Sequence, residues 1–60
     1  MKVGDRVILE RMDNDPNPIP VGTEGTIRHI GGGVVNVDWD NGRTIGLIEG
    51  IDDFKVIDND

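Results

Sequence analysis

The amino-acid sequence predicts an all-β fold, a small five-stranded barrel built as a meander of tight hairpins with a Pro-rich first loop. Three observations carry this expectation. The apolar residues are mostly β-branched, with eight Ile and seven Val against two Leu and no Ala. Such side chains pack well on pleated surfaces and lose χ1 freedom in helices. Nine Gly and three Pro interrupt almost every stretch long enough to be a helix. Between these breaks, apolar and polar residues alternate with the period of two of a half-buried strand.

The first strand is expected over Arg6–Glu10, where Val7 and Leu9 point one way and Arg6, Ile8 and Glu10 the other. A helix over Asp5–Met12 is the rival reading, and Asp13-Asn14-Asp15-Pro16 would end it quickly. Residues Asn14–Pro20 form a loop with Pro16, Pro18 and Pro20. Alternating Pro removes backbone donors and favours extended, polyproline-like geometry. By analogy, a long first loop is where SH3-like barrels carry their variable insertion, so an SH3-like barrel is the expected architecture.

Strand two is expected over Gly25–Ile30, strand three over Val34–Trp39, strand four over Arg43–Ile48 and strand five over Phe54–Ile57. Asn41-Gly42 is a strong hairpin signal. A two-residue loop there would set Asp38 against Ile45 and Asn36 against Leu47, polar against core. A three-residue loop of Asp40-Asn41-Gly42 instead pairs Val37 with Ile45, Val35 with Leu47 and Trp39 with Arg43. That loop ends on a residue in the left-handed region, so Gly42 is expected at φ > 0. The same count across Gly31–Gly33 pairs Ile27 with Val37 and His29 with Val35, placing His29 on the apolar face as a structural histidine. Both hairpins then share one continuous apolar face.

Sixty residues make one domain, expected over 1–60 with 58–60 as a solvated tail. A chain of this length buries only about 60% of its unfolded surface, so its stability margin is thin. It has no Cys and therefore no disulfide framework. Small secreted domains usually carry such staples, which points to the cytoplasm. No apolar segment follows Met1-Lys2-Val3-Gly4-Asp5 as a signal peptide would require, and the longest apolar run, Val7-Ile8-Leu9, cannot span a membrane.

The net charge is −6, and the cations Lys2, Arg6, Arg11, Arg28, Arg43 and Lys55 are scattered. Phosphate backbones are gripped by clustered Lys and Arg, so direct nucleic-acid binding is not expected. Acidity of this kind keeps a protein soluble. Its functional alternatives are a basic protein partner or mimicry of nucleic-acid charge.

Several stretches resemble a known family. Val3-Gly4-Asp5-Arg6-Val7, then Pro18-Ile19-Pro20-Val21-Gly22-Thr23-Glu24-Gly25-Thr26, then Val37-Asp38-Trp39-Asp40-Asn41-Gly42, and last Gly50-Ile51-Asp52-Asp53-Phe54 are similar to domain of unknown function 4314. The resemblance covers nearly the whole chain. It implies an SH3-like fold and a setting in bacteria, phages and mobile elements, and it implies no activity. The chain departs from the pattern at Arg43, where a small polar residue is expected, and in the Gly-rich turn Gly31–Gly33.

No catalytic machinery is expected. Cys, Ser and Tyr are absent, and Asp38 and Asp40 have no acid–base partner of a suitable type. Gly31-Gly32-Gly33 lacks the Lys-Ser/Thr pair and the helix of a phosphate loop. Asp13, Asp15, Asn17 and Glu24 have calcium-loop spacing, but Pro18 stands where the sharp turn requires Gly. A solvated acidic loop without metal or cofactor is expected there, with weak calcium binding through residues 13–24 as the alternative.

What remains is a protein-binding module, expected to be monomeric. Trp39 has two readings, a core aromatic that caps the barrel or a partly exposed platform on which Arg43 stacks. On the second reading Trp39, Arg43, Asp38, Asp40, Pro18 and Pro20 form the partner site. A fully buried Trp39 would shift attention to the outward-facing Ile8, Ile48 and Ile57, which with Val34 add more apolar surface than one buried face needs.

Overall fold

The computed structural model describes residues 1–12 and 17–57. Pro16, Asp13 and Asp15 of the calcium-like spacing, and the tail 58–60 lie outside the described residues. Five strands follow one another along the chain: β1 (Arg6–Arg11), β2 (Glu24–Gly31), β3 (Val34–Trp39), β4 (Thr44–Ile48) and β5 (Asp53–Ile57). They form one antiparallel sheet in the order β4-β3-β2-β1-β5. This is the small, five-stranded, barrel-like all-β fold expected from the sequence, with the sheet left open between β4 and β5.

One face of the sheet is the core. Val7 and Leu9 of β1, Ile27 of β2, Val35, Val37 and Trp39 of β3, and Leu47 of β4 are all buried, each on the apolar phase of its strand. Ile30, Ile45 and Phe54 pack against them while partly exposed. The first loop adds Ile19, which is 2% exposed and lies between the two exposed prolines Pro18 and Pro20. Its N–H donates to the Met12 sulfur at 3.3 Å. The loop is tied to β1 at its end, where Leu9 N–H donates to Thr23 O (2.9 Å) and Gly22 N–H to Leu9 O (2.8 Å).

The β3–β4 hairpin has the expected register. Val37 lies opposite Ile45 and Val35 opposite Leu47. Trp39 N–H donates to Arg43 O at 2.8 Å, which leaves Asp40-Asn41-Gly42 as the loop. Gly42 has φ 90°, and a Cβ added there would meet nothing within 4 Å. Any penalty on Gly42→Ala is therefore one of backbone conformation alone. We expect a loss of about 1 kcal/mol in stability, read from the urea-unfolding midpoint.

The β2–β3 hairpin departs from expectation. Gly31 pairs with Val34, so the turn holds only Gly32 and Gly33, at φ 60° and 79°. Positive φ at both central residues is what a tight two-residue hairpin turn demands. The turn therefore slips the register by one residue. A bulge between Ile27 and His29 slips it back, and Ile27 still lies opposite Val37. The expected His29–Val35 pair is thereby corrected: Ile30 takes the place opposite Val35, and His29 is exposed.

Between β4 and β5 the chain turns on a carboxylate. Ile51 N–H and Asp52 N–H both donate to Ile48 O, at 3.1 and 2.9 Å. In return Asp52 Oδ2 accepts the Ile48 N–H at 2.9 Å. Asp52 is 6% exposed and closes the end of β4 from the side.

Candidate functional site

The outer face of the sheet is polar along a row that crosses four strands. Arg6 lies opposite Thr26, Thr26 opposite Asp38, and Asp38 opposite Thr44. Strand alternation sends all four side chains away from the core, because their neighbours Val7, Ile27, Val37 and Ile45 point into it. The row is knit together. Arg6 makes a two-pronged contact with Asp40, Nη1 to Oδ1 at 2.9 Å and Nη2 to Oδ2 at 2.5 Å. The same guanidinium donates to Thr26 Oγ1 at 3.0 Å and reaches Glu24 Oε1 at 3.4 Å. Asp38 accepts from Arg28 Nη1 on one oxygen and from Thr44 Oγ1 (3.1 Å) on the other.

Electrostatics follow this geometry. The hydrogen bonds from Arg6, reinforced by its charge, hold the Asp40 carboxyl below its ordinary 3.8 against the opposing effect of desolvation. The Arg6 guanidinium is in turn held more firmly protonated, chiefly through Asp40. A depressed carboxyl contributes stability above its unfolded value and loses it as pH falls through the lower folded value. An NMR titration is expected to place the Asp40 midpoint below 3.8, and Arg6→Gln to return it toward that value. An Asp40 midpoint unmoved by Arg6→Gln would show that the pair is not formed in solution.

Beside the row lies an open depression of about 570 Å³, lined by Thr26, Arg28, Asp38, Trp39, Asp40, Gly42, Arg43 and Thr44. The structure thus brings together four of the residues expected to form the partner site, Asp38, Trp39, Asp40 and Arg43. Pro18 and Pro20 are exposed on the first loop and do not line it. Trp39 as an exposed platform is corrected. It is 3% exposed, and its Nε1–H donates to Ile45 O at 3.1 Å. The reason lies across the sheet, where Gly25 sits opposite Trp39 and, lacking a Cβ, leaves room for the indole. Trp39 thus borders the depression while almost wholly buried.

Arg43 is the chemically open group here. It is half-buried, its backbone N–H is held by Asn41 Oδ1 at 3.0 Å, and its guanidinium has no ion-pair partner among the described residues. Asp38 and Asp40, by contrast, already have theirs. The outward apolar residues form two separate pairs rather than one patch. Val34 lies opposite Ile48 on β3–β4, while Ile8 and Ile57 are near neighbours on β1 and β5. No group of three or more His, Asp or Glu side chains placed to hold a metal occurs among the described residues. No helix is long and apolar enough to cross a membrane.

Reading single strands missed Arg6, Glu24 and Thr26, because the bonds that Arg6 makes to Glu24, Thr26 and Asp40 join residues far apart in the chain. The signal was present in the quoted stretches: three of the four supply members of this one network. A family model described as Domain of unknown function (DUF4314) matches residues 1–57. No curated protein and no solved structure matches the chain.

Proposed function

The chain belongs to the DUF4314 family, and on that premise we propose that it is a non-catalytic protein-binding domain serving a phage or mobile element. The observation that supports this is Arg43, a partly buried residue on the wall of a preformed depression, whose guanidinium has no ion-pair partner among the described residues. The surrounding carboxylates are engaged by Arg6 and Arg28. The site therefore offers a fixed fork of N–H donors to one incoming carboxylate, a geometry suited to guanidinium. An Asp or Glu side chain of an extended partner segment fits it, with Trp39 and Thr44 as the neighbouring floor. Since Arg43 replaces an expected small polar residue, this contact belongs to the present chain rather than to the family at large.

The test is a parallel capture with wild type and Arg43→Ala from the source cell, identified by mass spectrometry. The variant is expected to lose its partner at least tenfold in affinity, as for a charge-assisted hydrogen bond of about 1.5–3 kcal/mol. Its melting temperature should stay within a degree or two, because no internal ion pair is broken. Equal capture by both proteins would refute the site. A salt series on the purified pair then separates this reading from charge mimicry, since a mimic's affinity falls steeply as salt screens its extended field.

A further inference from the structure

Hydrogen bonding alternates along an antiparallel strand, so the pairs on β1 decide which groups of β5 are left over. Leu9 turns its N–H and C=O toward β2, meeting Thr23 and Gly22, and Asp5 O accepts from Ile27 N–H on the same side. Arg6 and Ile8 therefore face β5, opposite Ile57 and Lys55. The N–H and C=O groups of Phe54 and Val56 consequently point away from the sheet, along its open edge. The other edge is less available. There the backbone groups of Ile48 are capped through Asp52, which leaves only those of Thr44 and Gly46 facing outward. On β5, Val56 is 42% exposed although it lies opposite the buried Val7.

We propose that the β5 edge is a self-association surface, taking the β5 edge of a second copy of this chain antiparallel about Phe54. This register is singled out by charge. It sets Asp53 of each copy opposite Lys55 of the other on the outer face. It also places the two Phe54 rings side by side on the inner face, with each Val56 diagonal to the other copy's Phe54. Moving the register by one step, so that Phe54 faces Val56, would instead put Lys55 directly opposite Lys55, which is unfavourable. Lys55 has no ion-pair partner among the described residues, and the Asp53 carboxylate, although it meets Arg11 Nε at 3.2 Å, is 59% exposed and open to a second cation. A free edge with exposed apolar side chains is a ready template for such pairing.

The experiment is sedimentation equilibrium over a concentration series in 0.15 M salt, where repulsion between two acidic chains is screened beyond about 8 Å. The wild type is expected to form a dimer. Asp53→Lys alone, or Lys55→Asp alone, sets like charges across both cross-strand positions and should weaken the dimer about tenfold or more. An equimolar mixture of the two variants restores opposite charges at both positions and should re-form a heterodimer. Melting curves of each variant check that both still fold. The concentration dependence of hydrogen exchange at the Phe54 and Val56 amides gives a readout that needs no substitution. A wild type that stays monomeric at millimolar concentration overturns the proposal. So does a dimer indifferent to either reversal, a mixture that fails to re-associate, or edge amides whose exchange ignores concentration. None of these outcomes bears on Arg43, which lies off this edge.

Discussion

Gly25→Ala is expected to cost about 3 kcal/mol, at the upper end for overpacking a core. A Cβ at this position would stand 2.6 Å from Val37 Cγ1, 2.7 Å from Asp38 O and 3.0 Å from Trp39 Cε3. The carbonyl is the decisive contact, because it belongs to the backbone of β3 and can retreat only if the β2–β3 ladder opens. A 60-residue domain has a total stability on the order of 3–9 kcal/mol, so this one methyl group can unfold a large share of the molecules. Gly46→Ala is the control. Its Cβ would meet Val34 Cγ1 at 2.8 Å and Asn36 Oδ1 at 2.9 Å, both side-chain atoms on the outer face that can rotate aside. Urea-unfolding midpoints of the two variants should differ clearly. Equal losses would mean that the close approach at Gly25 is not what the fold depends on.

Trp39→Ala is expected to be at least as damaging, with a loss of about 3–5 kcal/mol as for other large aromatics removed from a core. Trp39→Phe separates the parts of that loss. It keeps a ring over Gly25 but removes the Nε1–H bond to the Ile45 carbonyl, at a cost of about 0.5–1.5 kcal/mol for one hydrogen bond. Because Trp39 is the only Trp, its fluorescence reports the site directly. Native emission should be blue-shifted and poorly quenched by iodide, and both properties should vanish on unfolding. Ready quenching in the native state would contradict the burial from which these losses follow.

The strands and the β3–β4 register were legible because that hairpin gives two independent signals that agree. Val35, Val37 and Trp39 fix which side faces inward, and Asp40-Asn41-Gly42 fixes the loop length. The β2–β3 hairpin offered an ambiguous signal. Three consecutive glycines allow either a two- or a three-residue turn, and a compensating bulge leaves Ile27–Val37 the same in both. Pattern alone could not place His29, since the bulge changes the phase of every residue beyond it. Ile19 was hidden by its flanking prolines, which mark a loop but do not say that its middle residue dips into the core. Arg6 and Asp40 are thirty-four positions apart. Their pairing depends on β1 and β3 both flanking β2, a fact of topology rather than of local composition. Arg43 was legible as a candidate, whereas the reason given for it, stacking on an exposed indole, was not the one the fold supports.

The pairing of β1 with β5 has a mechanical consequence. Arg6, where the first strand begins, lies opposite Ile57, where the last one ends. Tension applied through these two ends therefore acts across the ladder rather than along it. Its rungs are loaded one after another from Arg6–Ile57 toward Arg11–Asp53, so they part in sequence as in a zipper, without sharing the load. The three-stranded meander of β2, β3 and β4 lies off this line of force. A pulled molecule should first release β5 at low force and keep that meander, with the Gly25–Trp39 contact, as its last folded part.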